Sequence, residues 1–324
     1  MKKIFKKLCA IILVASTLLP SALVGCAERE NDGHLKILCT IFPIYDWARS
    51  VVGETSEAEV SLLVKNGADL HSYQPSFADM AAIRDSDVVI YVGGESDKWI
   101  EESIDNDTVA IKLSELDGIT LYEVSADSIA QGHSHEDGED CHELHDHSKG
   151  FDEHLWLSVS NAVTACGAIL DVISELDEKN SETYSENTQT YINSLSSLDT
   201  RMTEISGFIT EPLIFADRFP FVYLFEDYGI DYYAAFEGCT TDTDANFDTV
   251  VSLAQKLSKS KYSYVFVTET PSDELTDSVI RQSGVSATAV KLNSMQSLIE
   301  KETEGVSYIE IMDKNISVLE QIFT

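Results

Sequence analysis

The stretch from Gly132 to Trp156, GHSHEDGEDCHELHDHSKGFDEHLW, concentrates side chains that can bind metal ions. Five of the chain's eight histidines fall between His133 and His147: His133, His135, His142, His145 and His147. They are interleaved with Glu136, Asp137, Glu139, Asp140, Glu143, Asp146 and Cys141. Tracts of this composition read as metal-binding, because neutral imidazole is a good ligand for transition ions. The tract has no apolar periodicity and so builds no core. A merely solvated acidic loop is the bland alternative. A sixth histidine, His154, stands apart in Asp152-Glu153-His154-Leu155-Trp156-Leu157.

Further candidates lie where strands end. His71 sits in the loop 66–75, after an apolar run at 60–64. No histidine follows His154, so the second half must supply oxygen or sulfur. Asp217 comes after a run ending at Ala216, and Glu269 follows Val265-Phe266-Val267-Thr268. A carboxylate in such a place is equally a helix cap or a surface acid. Cys239 is a third possibility, with a buried thiol as the simpler account.

The elements that must hold these residues follow from periodicity. Strand-like runs at 35–42, 60–64, 87–92 and 109–113 alternate with helical segments, and Ser76 is placed to cap one of them. A second series of strands is expected at 212–216, 232–236, 264–267 and 288–292. Between the series, Tyr184, Thr188, Tyr191, Leu195, Leu198, Met202 and Ile205 step by four and three, one face of a long helix over about 179–205. The stripe lasts about three heptads and includes a polar threonine, which favours a brace within the chain over a coiled-coil dimer. Alternation of strands and helices argues for an α/β fold. Two Rossmann-like lobes with parallel sheets are expected, joined by a long rigid helix. The divisions are 1–25 signal peptide, 26–34 tether, 35–177 first lobe with the His-rich loop 131–150, 178–206 linking helix and 207–324 second lobe. Sites in such folds gather at the carboxyl ends of strands.

Composition sets the compartment. Lys2, Lys3, Lys6 and Lys7 precede an apolar segment from Leu8 to Val24, the pattern of a secretory signal. Leu23-Val24-Gly25-Cys26 looks like a bacterial lipobox, in which Cys26 takes the lipid and tethers a soluble domain to the membrane. Removing the signal takes away four lysines and no acids, so the net charge of −34 becomes about −38. That surface repels nucleic acid and attracts cations. Cys39, Cys141, Cys166 and Cys239 remain, without a CxxC motif, and their connectivity cannot be read from sequence. The chain has no HExxH motif, no nucleotide-binding glycine loop and no basic patch.

The sequence resembles the solute-binding lipoproteins of bacterial ABC transporters for zinc and manganese. Gly67-Ala68-Asp69-Leu70-His71-Ser72-Tyr73-Gln74-Pro75 is similar to that family's GxDPHxYxP loop, with Leu70 for proline. Asp152-Glu153-His154-Leu155-Trp156-Leu157 is similar to its DPHVWLD segment, with Glu153 for proline and Ser158 for aspartate. Asp87 to Gly94 with Trp99, and Phe266 to Pro271, resemble two further segments.

The resemblance implies an extracytoplasmic, lipid-anchored, monomeric protein that is not an enzyme. It would carry Zn2+, or alternatively Mn2+, to a permease and its ATPase. It also implies four ligands, of which His71, His154 and Glu269 match family positions. The fourth is a histidine in zinc members. The matching segment here, Ala216 to Tyr223, has none, and Asp217 is the expected substitute. Arg218, always cationic, cannot coordinate. Two histidines with two carboxylates suit Mn2+ as well as Zn2+, whereas the His-rich tract favours zinc. The rival accounts are a metal-scavenging adhesin and a secreted zinc hydrolase, which would need an open water position.

Overall fold

Two four-stranded sheets carry the molecule, and every strand pairing between their members is parallel. The computed structural model describes residues 33–54, 57–65, 67–123, 150–239, 246–296, 298 and 305–324. The signal segment, Cys26, Cys141 and the clustered histidines His133, His135, His142, His145 and His147 lie outside the described residues. Leu35 to Thr324 forms one compact unit.

In the first sheet, β1 (Leu35–Cys39), β2 (Ala58–Leu62), β3 (Val88–Tyr91) and β4 (Val109–Lys112) lie in the order β2-β1-β3-β4. All four residues of β3 are buried, as befits a strand covered on both faces. Two helices accompany this sheet. The first, α1 (Phe42–Val52), takes Pro43 into its first turn, where the missing N–H costs nothing. The second, α2 (Phe77–Asp85), starts at Ser76, whose side chain and that of Asp79 form a reciprocal capping box.

The chain then runs through α3 (Val159–Leu176) and α4 (Ser181–Ser206). At 26 residues, α4 is about 39 Å long. Its expected stripe faces inward: Tyr184, Thr188, Leu195, Leu198, Met202 and Ile205 are buried. The helix packs on α3, α1 and the last helix, α8 (Tyr308–Phe323), so it braces the chain internally.

The second sheet repeats the plan of the first. Its strands β5 (Leu213–Phe219), β6 (Tyr232–Glu237), β7 (Tyr264–Val267) and β8 (Thr288–Lys291) lie in the order β6-β5-β7-β8. Helices α5 (Val222–Glu226), α6 (Phe247–Lys259) and α7 (Asp273–Ser283) connect them. In both sheets the order reverses beside the first strand, which opens a crevice at the strands' carboxyl ends. One boundary differs from expectation in a way that matters. A register shift between Phe215 and Arg218 lets β5 continue to Phe219, so Asp217 lies inside the strand and not after it.

Candidate metal centre

The loop after β2 ends in a single 3-10 turn, Leu70–Ser72. Asp69 caps it, its Oδ1 accepting the His71 N–H at 3.0 Å. After β3, the buried Asp97 accepts the backbone N–H groups of Val92, Gly93 and Gly94. Burial, above all, pushes its carboxyl up to about 7, with the charge of Glu153 adding to the effect. The knot that Asp97 ties holds Ser96 where its Oγ lies 2.8 Å from His71 Nδ1.

The triplet Asp152-Glu153-His154 completes the first lobe's share. Asp152 Oδ1 accepts both the backbone N–H and the ring Nδ1–H of His154, each at 2.9 Å. Glu153 turns the other way. Its Oε1 accepts the Ser96 N–H at 3.0 Å, and its Oε2 lies 3.2 Å from His71 Nδ1. Gly94 makes room for it, since a Cβ there would come within 2.4 Å of Glu153 Oε1. Burial opposes ionisation of Glu153, but its bonds with His71 and Ser96 prevail and hold the carboxyl down at about 2. For His154, burial opposes the charged ring, and the Asp152 carboxylate outweighs it, raising the ring well above the ordinary imidazole value.

Each imidazole thus turns Nδ1 to a carboxylate. The Asp152 carboxylate only accepts, which places a hydrogen on His154 Nδ1, while His71 Nδ1 faces both the Ser96 hydroxyl and Glu153 Oε2. The two Nε2 atoms face each other at 3.2 Å. Gln296, from the loop after β8, places Oε1 3.2 Å from His154 Nε2 while its amide nitrogen donates to Asp69 Oδ1 at 2.6 Å. Met295 beside it has a left-handed backbone, φ 61°, which is uncommon for a non-glycine residue and turns the chain toward the site. His71 Nε2, His154 Nε2 and Gln296 Oε1 therefore converge, an arrangement that suits a cation in place of the ring proton. Nitrogens sharing a tetrahedral zinc ion, at about 2.0–2.1 Å from it, lie about 3.3–3.4 Å apart, close to the spacing seen here.

The two expected carboxylates make hydrogen bonds within the second lobe. Asp217 Oδ2 accepts the Thr268 N–H at 3.0 Å and its hydroxyl at 2.5 Å, and Oδ1 accepts the Arg218 N–H at 2.9 Å. Glu269 accepts the N–H of Ser294 at 2.9 Å and its hydroxyl at 2.8 Å. Among the described residues, the acid, histidine and cysteine side chains grouped closely enough to share an ion are His71, His154 and Cys239. Asp217 and Glu269 are not in that group. They tie β5 to β7 and β7 to the loop that carries Gln296. Arg218 spans the crevice, its Nη1 donating to Asp69 Oδ2 at 2.9 Å. Gln296 was not among the sequence candidates, which were histidines, carboxylates and Cys239. Its place after a strand end was the available signal.

The family described as "ZnuA: Zinc-uptake complex component A periplasmic" matches residues 37–322. A zinc-binding lipoprotein, AdcA of Streptococcus pneumoniae, is 30% identical over 314 residues, which is 96% of this chain and 60% of that protein. The chain thus spans about three fifths of the first curated relatives it matches. The high-affinity zinc uptake system protein ZnuA of Bacillus subtilis is 26% identical, with 97% of each chain covered. Among solved structures, the Zn(II)-bound ZnuA-like domain of Streptococcus pneumoniae AdcA aligns with a TM-score of 0.69 at 27% identity. That alignment covers 90% of this chain and 99% of the domain. The zinc-binding TroA of Treponema pallidum, at 16% identity and a TM-score of 0.71, shares the fold.

Proposed function

The chain belongs to the ZnuA family of zinc-uptake components, and from that premise we propose that it captures Zn2+ in the crevice between its lobes and delivers it to an ABC permease. His71 and His154 are the primary ligands. The observation that carries this is the pair of Nε2 atoms 3.2 Å apart, each ring anchored through Nδ1 to an adjacent acid. The first lobe supplies both rings, and Gln296 reaches them from the second. Asp69, bonded to Arg218 and Gln296, holds the lobes together around them.

The relatives favour zinc over manganese as cargo, since AdcA and ZnuA are named for zinc. Rings already held in place through Nδ1 lose little freedom on binding, which favours capture at low metal concentration. Release follows when the lobes part and Gln296 withdraws. The chain acts as a monomeric carrier and not as a catalyst, held at the outer face of the cytoplasmic membrane through Cys26. The His-rich tract from His133 to His147 gathers ions and passes them to the crevice.

Chelator-competition titration with Zn2+ tests this. The wild-type chain binds one ion tightly, and His71→Ala or His154→Ala lowers its affinity at least a hundredfold, on the order expected when a ligand is lost where even an outer partner costs 10–100-fold. A tight site that survives both substitutions would sink the proposal.

A further inference from the structure

We infer that the Cys239 sulfur is a third protein ligand in the crevice, making the centre a mixed nitrogen–sulfur site that discriminates against Mn2+. This rests on the assignment of His71 and His154 as the ligand pair. One donor atom from each of His71, His154 and Cys239 lies within 4.8 Å of the other two. Zinc bonds of about 2.3 Å to sulfur and 2.0–2.1 Å to nitrogen need donors about 3.4–3.6 Å apart; Sγ stands 3.9 Å from His154 Nδ1, so the Cys239 side chain must swing toward the Nε2 edge of the ring to complete the set.

The backbone delivers the sulfur. Cys239 follows β6 in a turn whose preceding residue, Gly238, is pressed on three sides. A Cβ at Gly238 would come 2.7 Å from Phe219 O, 2.9 Å from His154 Cε1 and 2.9 Å from Pro220 Cα. Only glycine fits, and the turn is thereby seated against the imidazole. The thiol's surroundings are polar. Sγ accepts the Glu153 N–H at 3.4 Å and lies 3.8 Å from Asp152 Oδ2 and 3.9 Å from His154 Nδ1. Cys39 and Cys166, by contrast, are fully buried among core side chains. A sulfur serving only to fill space has no need of the two residues that orient a metal-binding ring.

Coordination replaces the S–H bond of Cys239 with a metal–sulfur bond, and the proton leaves to solvent. The resulting thiolate cancels one of the ion's two positive charges, which two imidazoles and an amide leave untouched. Thiolate is a soft donor that suits Zn2+, whereas Mn2+ prefers carboxylate, carbonyl and water.

The test uses the full chain with Cys141→Ser, which removes the other thiol beside histidines, and Co2+ as a spectroscopic probe. The expected result is an intense near-ultraviolet thiolate-to-cobalt band at one equivalent. Cys239→Ser loses the band while still binding Co2+ through the histidines. Its Zn2+-over-Mn2+ affinity ratio falls by about tenfold or more. Absence of the band in the parent, or its persistence with an unchanged ratio in Cys239→Ser, overturns the inference. If His71→Ala leaves binding intact, the histidine pair itself is wrong. If His71→Ala abolishes binding but Cys239→Ser changes nothing, the sulfur alone is wrong. Should Cys239→Ser fail to fold, alkylation of the parent decides. Bound Zn2+ protects Cys239 from iodoacetamide if sulfur is a ligand, and equal labelling with and without Zn2+ overturns it.

Discussion

Asp152 and Glu153 are neighbours in the chain, yet they serve different imidazoles from opposite sides. Asp152→Asn and Glu153→Gln are therefore each expected to weaken zinc by about 10–100-fold without touching a ligand, as read by chelator competition. Asp217→Ala behaves differently. Its carboxylate holds Thr268 and the Arg218 N–H, so its removal should cost about 1–3 kcal/mol of stability, seen as a lower Tm, with zinc affinity changed only a few-fold. A collapse of affinity in that variant would show Asp217 to be a ligand. His71 and His154 stood out in the sequence because histidine is scarce outside the tract and both flank predicted elements. The partners that give them their chemistry were harder to see. Glu153 occupies a position where proline was the family pattern, and Gln296 lies 142 residues from His154. No local pattern links residues so far apart.

The helices α1, α4 and α8 meet at one buried acid. Asp46 on α1 accepts the Tyr191 hydroxyl from α4 and the Tyr308 N–H that opens α8, both through Oδ2. Burial raises its carboxyl above the usual range; the two bonds and Arg49 work against this, and Glu310 adds to it. Because the folded group holds its proton more tightly than the unfolded one, its contribution is full below about pH 3.9 and declines as pH rises through the folded value. Asp46→Asn keeps an oxygen for both donors and has no proton to lose. Its unfolding free energy should match wild type in acid and exceed it progressively toward neutrality, measured by urea melts across pH. Equal slopes would show that Asp46 does not titrate in this window. The alternating elements and the inward face of α4 were legible because burial imposes a period of two or 3.6. The extension of β5 was not, because a register shift leaves no periodic trace. It is what places Asp217 within β5.

Across the molecule, the Asp69–Arg218 pair joins residues 149 apart and bridges the lobes. Arg218→Ala should loosen the metal-free form, raising its radius of gyration in small-angle scattering, while Zn2+ restores the wild-type value. No change in the metal-free form would mean that Gln296 and the helical brace suffice. Deleting 132–150 removes all five clustered histidines and should leave the tight site intact in titration, with fewer weak equivalents bound. The chain has three tryptophans. Trp156 has its ring centroid 5.0 Å from that of His154, and its indole N–H donates to Ser294 O in the second lobe at 2.8 Å. The indole thus touches the proposed ligand His154 on one side and the opposite lobe on the other. An excited indole responds to charge on the ring beside it and to its own hydrogen bond. The protein carries its own fluorophore beside the proposed site, so the arrival and departure of an ion there can be timed by stopped flow with no added dye.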